Sequence, residues 1–166
     1  RRLASDLPAH HALLALANFG NYYVYDSIGP VADLLQRQRD FSDSQIGMLN
    51  AIYSLPNVVL ILLGGILVDR FGTARMLVWT ALICLAGAAL TAWSPAFSGM
   101  AAGRLLFGIG AETFNIATIA AVVKYFSGRN LALAIGTSIA VGRAGAFSVD
   151  MSPTWFSGAY AGGWQP

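Results

Sequence analysis

The most constraining feature of this sequence is an uncharged apolar run that ends abruptly in a charged turn. From Met48 to Val68 the chain carries no charged side chain, and Asp69 and Arg70 follow at once. A helix of about 20 apolar residues is long enough to cross the roughly 30 Å hydrocarbon core of a bilayer. The run therefore predicts a transmembrane helix that ends at a membrane surface.

Apolar segments of similar length recur along the chain. We predict five spans, at about 12–32, 46–68, 76–93, 98–123 and 130–150. The last segment stays apolar past Pro153, as far as Phe156. Of all residues 56% are hydrophobic and only 11% charged, whereas about a quarter are charged in soluble domains. We therefore expect an all-α membrane protein that contacts the lipid bilayer.

The basic residues of the short loops predict the orientation of the chain. One face would carry Arg1, Arg2, Arg70, Arg75, Lys124 and Arg129, and the other face Arg37 and Arg39. Because Lys and Arg concentrate in cytoplasmic loops, the N-terminus is expected in the cytoplasm and the end of the chain outside. An odd number of spans, without a starting Met, suggests one part of a longer protein (residues 1–166) whose C-terminal half is missing.

Several function classes are disfavoured by the same sequence. A net charge of +2 gives no reason to expect nucleic acid as a partner. Cys84, the only cysteine, lies in an apolar segment and offers neither a disulfide nor a metal site. With no Ser/His/Asp set and no cluster of metal ligands in the sequence, we expect no enzyme, no cofactor and no metal.

The turn after the second segment carries a specific motif. It contains Gly65, Asp69, Arg70, Gly72 and Arg75, and it resembles the signature between the second and third helices of the major facilitator superfamily. Gly65 would let another helix approach closely, and Gly72 would permit the tight turn. The resemblance implies a conformational-switch loop. The alternative is a simple solvated cytoplasmic loop.

The resemblance also implies an architecture. Members have twelve helices in two six-helix halves, hold a small-molecule substrate between the halves, and alternate its access by rocking. The chain would then be a major facilitator superfamily helical bundle fragment, with five helices of the N-terminal six-helix half. Its partners would be the substrate, the bilayer and the missing C-terminal half.

Four further strings resemble one branch, the lysosomal dipeptide transporters and their prokaryotic relatives. They are Tyr22-Tyr-Val-Tyr-Asp26, Tyr53-Ser-Leu-Pro-Asn57, Arg104-Leu-Leu-Phe-Gly-Ile-Gly-Ala-Glu112 and Gly142-Arg143. This resemblance implies a dipeptide or a similar zwitterion as substrate. The protein would be a multi-pass protein of the inner or plasma membrane in a prokaryote, or of an organelle in a eukaryote.

Four ionisable residues lie inside the predicted spans: Asp26, Arg104, Glu112 and Arg143. Each costs about 2.5 to 3.5 kcal/mol at the centre of a membrane helix, so such groups face a partner or an aqueous cavity. Polar residues form stripes at helical spacing with them. The stripes are Asn18, Tyr22, Tyr25 and Asp26; Asn50, Tyr53, Ser54, Asn57 and Gly64; and Arg104, Gly108, Glu112 and Asn115. We expect them to line one central path.

Glu112 and Arg143 are the strongest candidates for substrate binding. The branch resemblance implies that Glu112 meets the substrate amine, and the planar fork of Arg143 suits a carboxylate. The alternative is a structural ion pair for either residue. Arg104 would form a proton or ion-pair site with Glu112, or anchor its helix. Tyr25, Asp26, Tyr53 and Asn57 are predicted to line the substrate site.

Backbone irregularity and close packing are predicted at two sets of residues. Pro56 removes a backbone hydrogen bond and can kink the second span beside Asn57; the alternative is a proline that the membrane helix tolerates without consequence. The glycines Gly108, Gly110, Gly136, Gly142 and Gly145 would allow close helix contact.

Two other functions remain open at this stage. One is a proton-coupled exporter of drugs or organic anions, with Glu112 as its proton site. The other is a membrane scaffold or receptor without transport.

Overall fold

The computed structural model describes residues 2–126 and 128–162, without the side chains of residues 2–9 and 129. Arg1, the side chains of Arg2 and Arg129, and the chain end from Gly163, all used in the predictions above, lie outside this description. The described chain forms α1 (Arg2–Tyr25), α2 (Ile28–Arg39), α3 (Asp43–Ile52), α4 (Asn57–Phe71), α5 (Thr73–Trp93), α6 (Phe97–Tyr125), α7 (Gly128–Trp155) and α8 (Ser157–Ala161).

Four stretches of the described chain are long and apolar enough to cross a membrane. They are Asp43–Phe71, which contains α3 and α4, then Thr73–Trp93, Phe97–Tyr125 and Asn130–Trp155. These stretches match the second to fifth predicted spans, and the last continues through Pro153 as expected. In α6, 56% of the most apolar window is buried, compared with 11% in Asp43–Phe71. α6 is therefore the central helix, as its two charges predicted.

The first predicted span is wrong as a single helix. α1 ends at Tyr25, and α2 begins at Ile28 after a turn. The Ser27 hydroxyl donates to the Val24 carbonyl at 2.7 Å, which competes with continued helix bonding. Pro30 has no N–H to extend the bonding pattern. Among the described residues, this region does not form a stretch that is both long and apolar enough to span.

The predicted break at Pro56 is confirmed. α3 ends at Ile52 and α4 begins at Asn57, with a tight turn between them. Within that turn Asn57 donates its backbone N–H to the Ser54 carbonyl at 3.1 Å, a three-residue spacing that is tighter than α-helical. The proline therefore divides the second span into two helices.

Glycines bring α6 close to α5, as predicted for Gly110. A side chain at Gly110 would meet the backbone and sulfur of Cys84 at 2.8 Å. On the same pair of helices, Gly103 would meet the Thr91 backbone nitrogen at 2.6 Å. Close packing of this kind is how small residues stabilise helix pairs in a membrane.

The structure corrects two of the predicted glycine contacts. A side chain at Gly65 would meet nothing within 4 Å among the described residues, whereas one at Gly64 would collide with Ile116 of α6. Successive residues of a helix point about 100° apart, so the packed face passes through Gly64 and not Gly65. Gly136 likewise has open space around it in the described chain.

α1 and α7 run side by side in the same direction. Gly142 and Gly145 allow this approach, because a side chain at either would run into Tyr22 or the backbone of Phe19. Asn18 donates to the Ser138 carbonyl at 3.1 Å, and His11 Nε2 lies 3.0 Å from the Ala134 carbonyl. These polar contacts fix the register of the two helices.

An apolar cluster covers the predicted outer end of the bundle. It contains Ile28 and Leu35 of α2, Phe41, Ile46 and Leu49 near α3, and Met100 and Ala101 of α6. α3 starts with a capping box in which Ser42 accepts from the Gln45 N–H and the Gln45 side chain accepts from the Ser42 N–H. The cluster holds α2 and α3 against the start of α6.

Candidate functional site

Arg104 of α6 is buried, with 1% of its surface exposed. Its guanidinium donates to three backbone carbonyls, those of Leu49 at 3.2 Å, Val24 at 2.9 Å and Tyr25 at 2.7 Å. These carbonyls lie at the C-terminal ends of α3 and α1, where helix carbonyls lack intrahelical partners and carry partial negative charge. Arg104 therefore anchors two helix ends.

The anchor supports the break between α1 and α2, together with Ser27 and Pro30. In a continuous helix, the N–H groups of Ile28 and Gly29 would take the carbonyls of Val24 and Tyr25. Arg104 takes those carbonyls instead. The ion pair predicted between Arg104 and Glu112 does not occur among the described residues. The predicted pair is thus not formed in this conformation.

Aromatic rings cover Arg104 and continue towards Arg143. The Arg104 guanidinium carbon lies 4.4 Å from the centroid of the Tyr53 ring. That ring lies 4.0 Å from the Tyr25 ring, which in turn lies 6.1 Å from Tyr22. The Arg143 guanidinium then lies 5.6 Å from the Tyr22 ring centroid. Three tyrosines thus form a row of ring contacts between the two arginines, with a cation–π contact to an arginine at each end.

Asp26 lies in the turn between α1 and α2, beside this aromatic row. It is half-buried and interacts electrostatically with Asp150, Arg143 and Arg104. A mixed group of charges therefore surrounds the predicted outer end of the path. The structure brings Tyr25, Asp26 and Tyr53 together as the sequence predicted.

Glu112 is half-buried on α6. It forms no hydrogen bond or ion pair with the other described residues. One turn before it, Gly108 packs against the backbone of Tyr53, and one turn after it, Ile116 packs against Gly64. Glu112 therefore lies on the face of α6 that meets α3 and α4, with its carboxylate unpaired within the described chain.

Asn57, at the start of α4, belongs to the same part of the bundle. Its side-chain oxygen Oδ1 is buried and finds no hydrogen-bond partner in the described residues. A buried acceptor without a donor costs about 1 to 3 kcal/mol. Such a group suits a site that is completed by a ligand.

A polar cavity of about 260 Å³ lies between α1, α6 and α7. Its polar lining comes from Asn18, Tyr22, Asn115, Thr118 and Ser138. Tyr22 is the residue whose ring faces Arg143, and Asn115 lies one turn from Glu112 on α6. Each end of the predicted clamp therefore has a neighbour that lines this cavity, although Glu112 and Arg143 do not line it themselves.

The motif between α4 and α5 forms a one-residue turn at Gly72. The predicted tight turn is confirmed, because Gly72 has φ +85°, which other residues rarely adopt. Asp69, Arg70 and Arg75 are exposed. Arg70 lies 5.9 Å from the Phe71 ring centroid, and Asp69 has no partner among the described residues.

Comparison with known proteins identifies the family. The sequence profile of the Major Facilitator Superfamily matches residues 14–165. The chain belongs to the Major Facilitator Superfamily. Lysosomal dipeptide transporter MFSD1 of Mus musculus is 32% identical over 145 residues, which cover 85% of this chain and 31% of that protein. Its Danio rerio counterpart is 34% identical over 143 residues, with 84% and 31% covered.

These matches have a limited span. The chain covers about a third of the length of the relatives it matches. No solved structure matches it. Major Facilitator Superfamily membership nevertheless confirms the expected fold, a helical membrane bundle, and places the chain in a family of transport proteins and not of enzymes.

Part of the candidate site in this Major Facilitator Superfamily chain was not predicted from the sequence. Tyr22 was placed on a polar stripe but not named as a site residue, although it faces Arg143. Thr118 follows Asn115 by three residues, as Asn115 follows Glu112. This spacing in the sequence could have predicted Thr118 as part of the polar stripe. Asp150 and Ser138 lie on α7, where no polar stripe was recognised.

Proposed function

We propose that the complete protein is a secondary transporter that moves a dipeptide or a similar zwitterion by alternating access. The observation that carries this proposal is that two opposite charges, Glu112 and Arg143, have no salt-bridge partner in the described chain and lie next to residues that line one cavity, Asn115 and Tyr22. A zwitterionic substrate brings the matching charges. The relatives named as lysosomal dipeptide transporters support the same substrate class.

In this mechanism each end of the substrate meets one charge. The Glu112 carboxylate accepts hydrogen bonds from the substrate ammonium group. The Arg143 guanidinium donates two parallel hydrogen bonds to the substrate carboxylate, and the Tyr22 ring orients that guanidinium. Tyr25, Asp26, Tyr53 and Asn57 form the wall around the substrate, and Arg104 stays on its carbonyls as the anchor of that wall.

The remaining parts of the proposal concern the whole transporter. The C-terminal half would supply the facing wall of the path, and rocking of the halves would expose the site alternately to each side. The exposed charges Asp69, Arg70 and Arg75 would contact that half as a conformational switch. The N-terminus lies in the cytoplasm. The protein itself resides in the inner or plasma membrane of a prokaryote, or in the membrane of an organelle in a eukaryote.

The clamp is tested with Glu112→Gln and Arg143→Lys in the complete protein, reconstituted into lipid vesicles. A hydrogen bond to a charged group contributes about 1.5 to 3 kcal/mol, so we expect each variant to lower kcat/KM for a dipeptide about tenfold or more. Asp33→Asn and Arg37→Lys make the same chemical changes on the exposed face of α2 and serve as controls. Normal uptake by both clamp variants would contradict the proposal.

A proton-coupled exporter of drugs or organic anions is the second candidate. It is favoured by Glu112, which lies in a membrane helix without a cationic partner among the described residues. Uptake with and without an imposed pH gradient separates the two functions. A dependence on the gradient together with unchanged dipeptide flux in Glu112→Gln would favour the exporter. A protein that moves no solute would be a scaffold or receptor.

A further inference from the structure

The polar cavity between α1, α6 and α7 contains two buried polar atoms that the packing leaves unpaired. Asn18 is 6% exposed and Thr118 is 4% exposed, and both line the cavity. Asn18 Oδ1 and Thr118 Oγ1 have no hydrogen-bond partner within the described chain. Buried polar groups are rarely left unpaired in proteins, because each costs about 1 to 3 kcal/mol.

The hydrogen bond of the Asn18 side chain determines whether its unpaired atom is a donor or an acceptor. The Asn18 amide nitrogen donates to the Ser138 carbonyl, and a carbonyl can only accept, which fixes the orientation of the amide. Oδ1 is therefore the atom left without a partner, on a side chain that lines the cavity, and it can only accept a hydrogen bond. The Thr118 hydroxyl can donate as well as accept.

One acceptor and one donor in a partly apolar cavity match a peptide group. A peptide bond presents one N–H donor and one carbonyl acceptor. Ile119, Val122, Ile135 and Ile139 complete the lining and suit an apolar side chain next to that group. A cation such as Ca²⁺ fits poorly, because it needs six or more oxygen ligands and no carboxylate lines this cavity.

We propose that this cavity is the amide subsite of the transported peptide. Asn18 Oδ1 accepts the N–H of the substrate peptide bond, and the Thr118 hydroxyl donates to its carbonyl. The subsite lies between Tyr22, which faces Arg143, and Asn115, which follows Glu112 on α6. It rests on the proposed function and extends it, because it distinguishes peptides from other zwitterions such as single amino acids.

Thr118→Val tests the subsite in the complete protein. Valine keeps the shape of threonine and removes a hydroxyl that has no partner in the described chain, so the fold loses no hydrogen bond. We expect the KM for dialanine to rise about two- to tenfold, the range for one hydrogen bond. The melting temperature should stay the same or rise.

Thr113→Val is the matched control on the same helix. Thr113 is also 4% exposed, but its hydroxyl donates to the Ile109 carbonyl at 3.0 Å, and it does not line this cavity. Its KM for dialanine should equal that of the unmodified protein. If Thr118→Val and Thr113→Val give the same KM while dialanine is transported, the subsite is wrong and the proposed function stands.

A second measurement uses the unmodified protein, so it does not depend on a variant that folds. Dialanine methylated on its peptide nitrogen lacks the N–H donor, and it should compete with labelled dialanine two- to tenfold more weakly than dialanine itself. Equal competition would overturn the subsite. If the unmodified protein neither binds nor transports dialanine, the proposed function fails and this inference fails with it.

Discussion

At the scale of single residues, the structure gives the two membrane arginines different tasks. Arg104 is enclosed by three carbonyls and two rings, those of Tyr53 and Phe107. Arg143 is exposed in the described chain, and its ring contact is with Tyr22. A buried cation that donates to a carbonyl from each of its three nitrogens is a structural element. An exposed cation beside a polar cavity remains available to a ligand.

This difference predicts opposite outcomes for the same substitution. Arg104→Lys replaces a planar fork by one compact ammonium group, which cannot reproduce the spread of the three carbonyl contacts at two helix ends. We expect the complete protein to lose about 1 to 2 kcal/mol of stability, measured as a lower melting temperature in detergent. Arg143→Lys should leave the melting temperature unchanged while it lowers dipeptide uptake. Equal melting temperatures of the two variants would contradict the anchor.

The sequence revealed these charges but not all of their partners. Spacing alone placed Arg104 and Glu112 on one stripe, because helical periodicity is a local property. The partners of Arg104 are backbone carbonyls, which every residue has, so no residue type marks them. The sequence therefore predicts either a carboxylate beside Arg104 or a helix anchor, and does not distinguish between them.

At the scale of helices, α7 contains a natural test of close packing. A side chain at Gly145 would collide with the backbone of Phe19 in α1, whereas one at Gly136 would meet open space in the described chain. Gly145→Ala should destabilise the protein by about 1 to 3 kcal/mol through overpacking. Gly136→Ala should be neutral or slightly stabilising, because alanine is the better helix former. Thermal unfolding monitored by tryptophan fluorescence measures both, and a larger loss for Gly136→Ala would refute the predicted packing.

Helix positions were predictable to different degrees for physical reasons. Spans two to five follow from continuous apolar runs, which have no stable alternative to a helix in lipid. The break at Pro56 follows from a missing N–H. The break after Tyr25 has local causes in Ser27 and Pro30 and a distant one in Arg104, almost 80 residues further along the chain, which takes the carbonyls of Val24 and Tyr25. A contact of that separation leaves no local pattern.

At the scale of the whole molecule, the length of α6 sets the distance between the two faces. Its 29 residues rise about 43 Å, enough to cross the bilayer core with both ends in the headgroup regions. At one end Phe97 packs against Phe41, next to Asp40. At the other end lies Tyr125. Asp40 and Tyr125 are therefore expected on opposite sides of the membrane.

Cysteine labelling tests this arrangement and the orientation together. Asp40→Cys and Tyr125→Cys, each in a Cys84→Ser background, place one thiol at each end. A membrane-impermeant thiol reagent should label Asp40→Cys from the outer side and Tyr125→Cys from the cytoplasmic side, since basic residues favour the cytoplasm. The reverse pattern would contradict the predicted orientation. Labelling of both from one side would contradict the span.

The shared guanidinium has a mechanical consequence for any rocking motion. Arg104 donates hydrogen bonds to the last turns of both α1 and α3. Neither turn can therefore move away from α6 without losing at least one charge-assisted hydrogen bond. The C-terminal turns of α1 and α3 are thus both bonded to Arg104, and we expect them to move together. If the complete protein is the proposed transporter, we expect gating at that end to be a concerted step in which the Tyr25 and Tyr53 rings shift together.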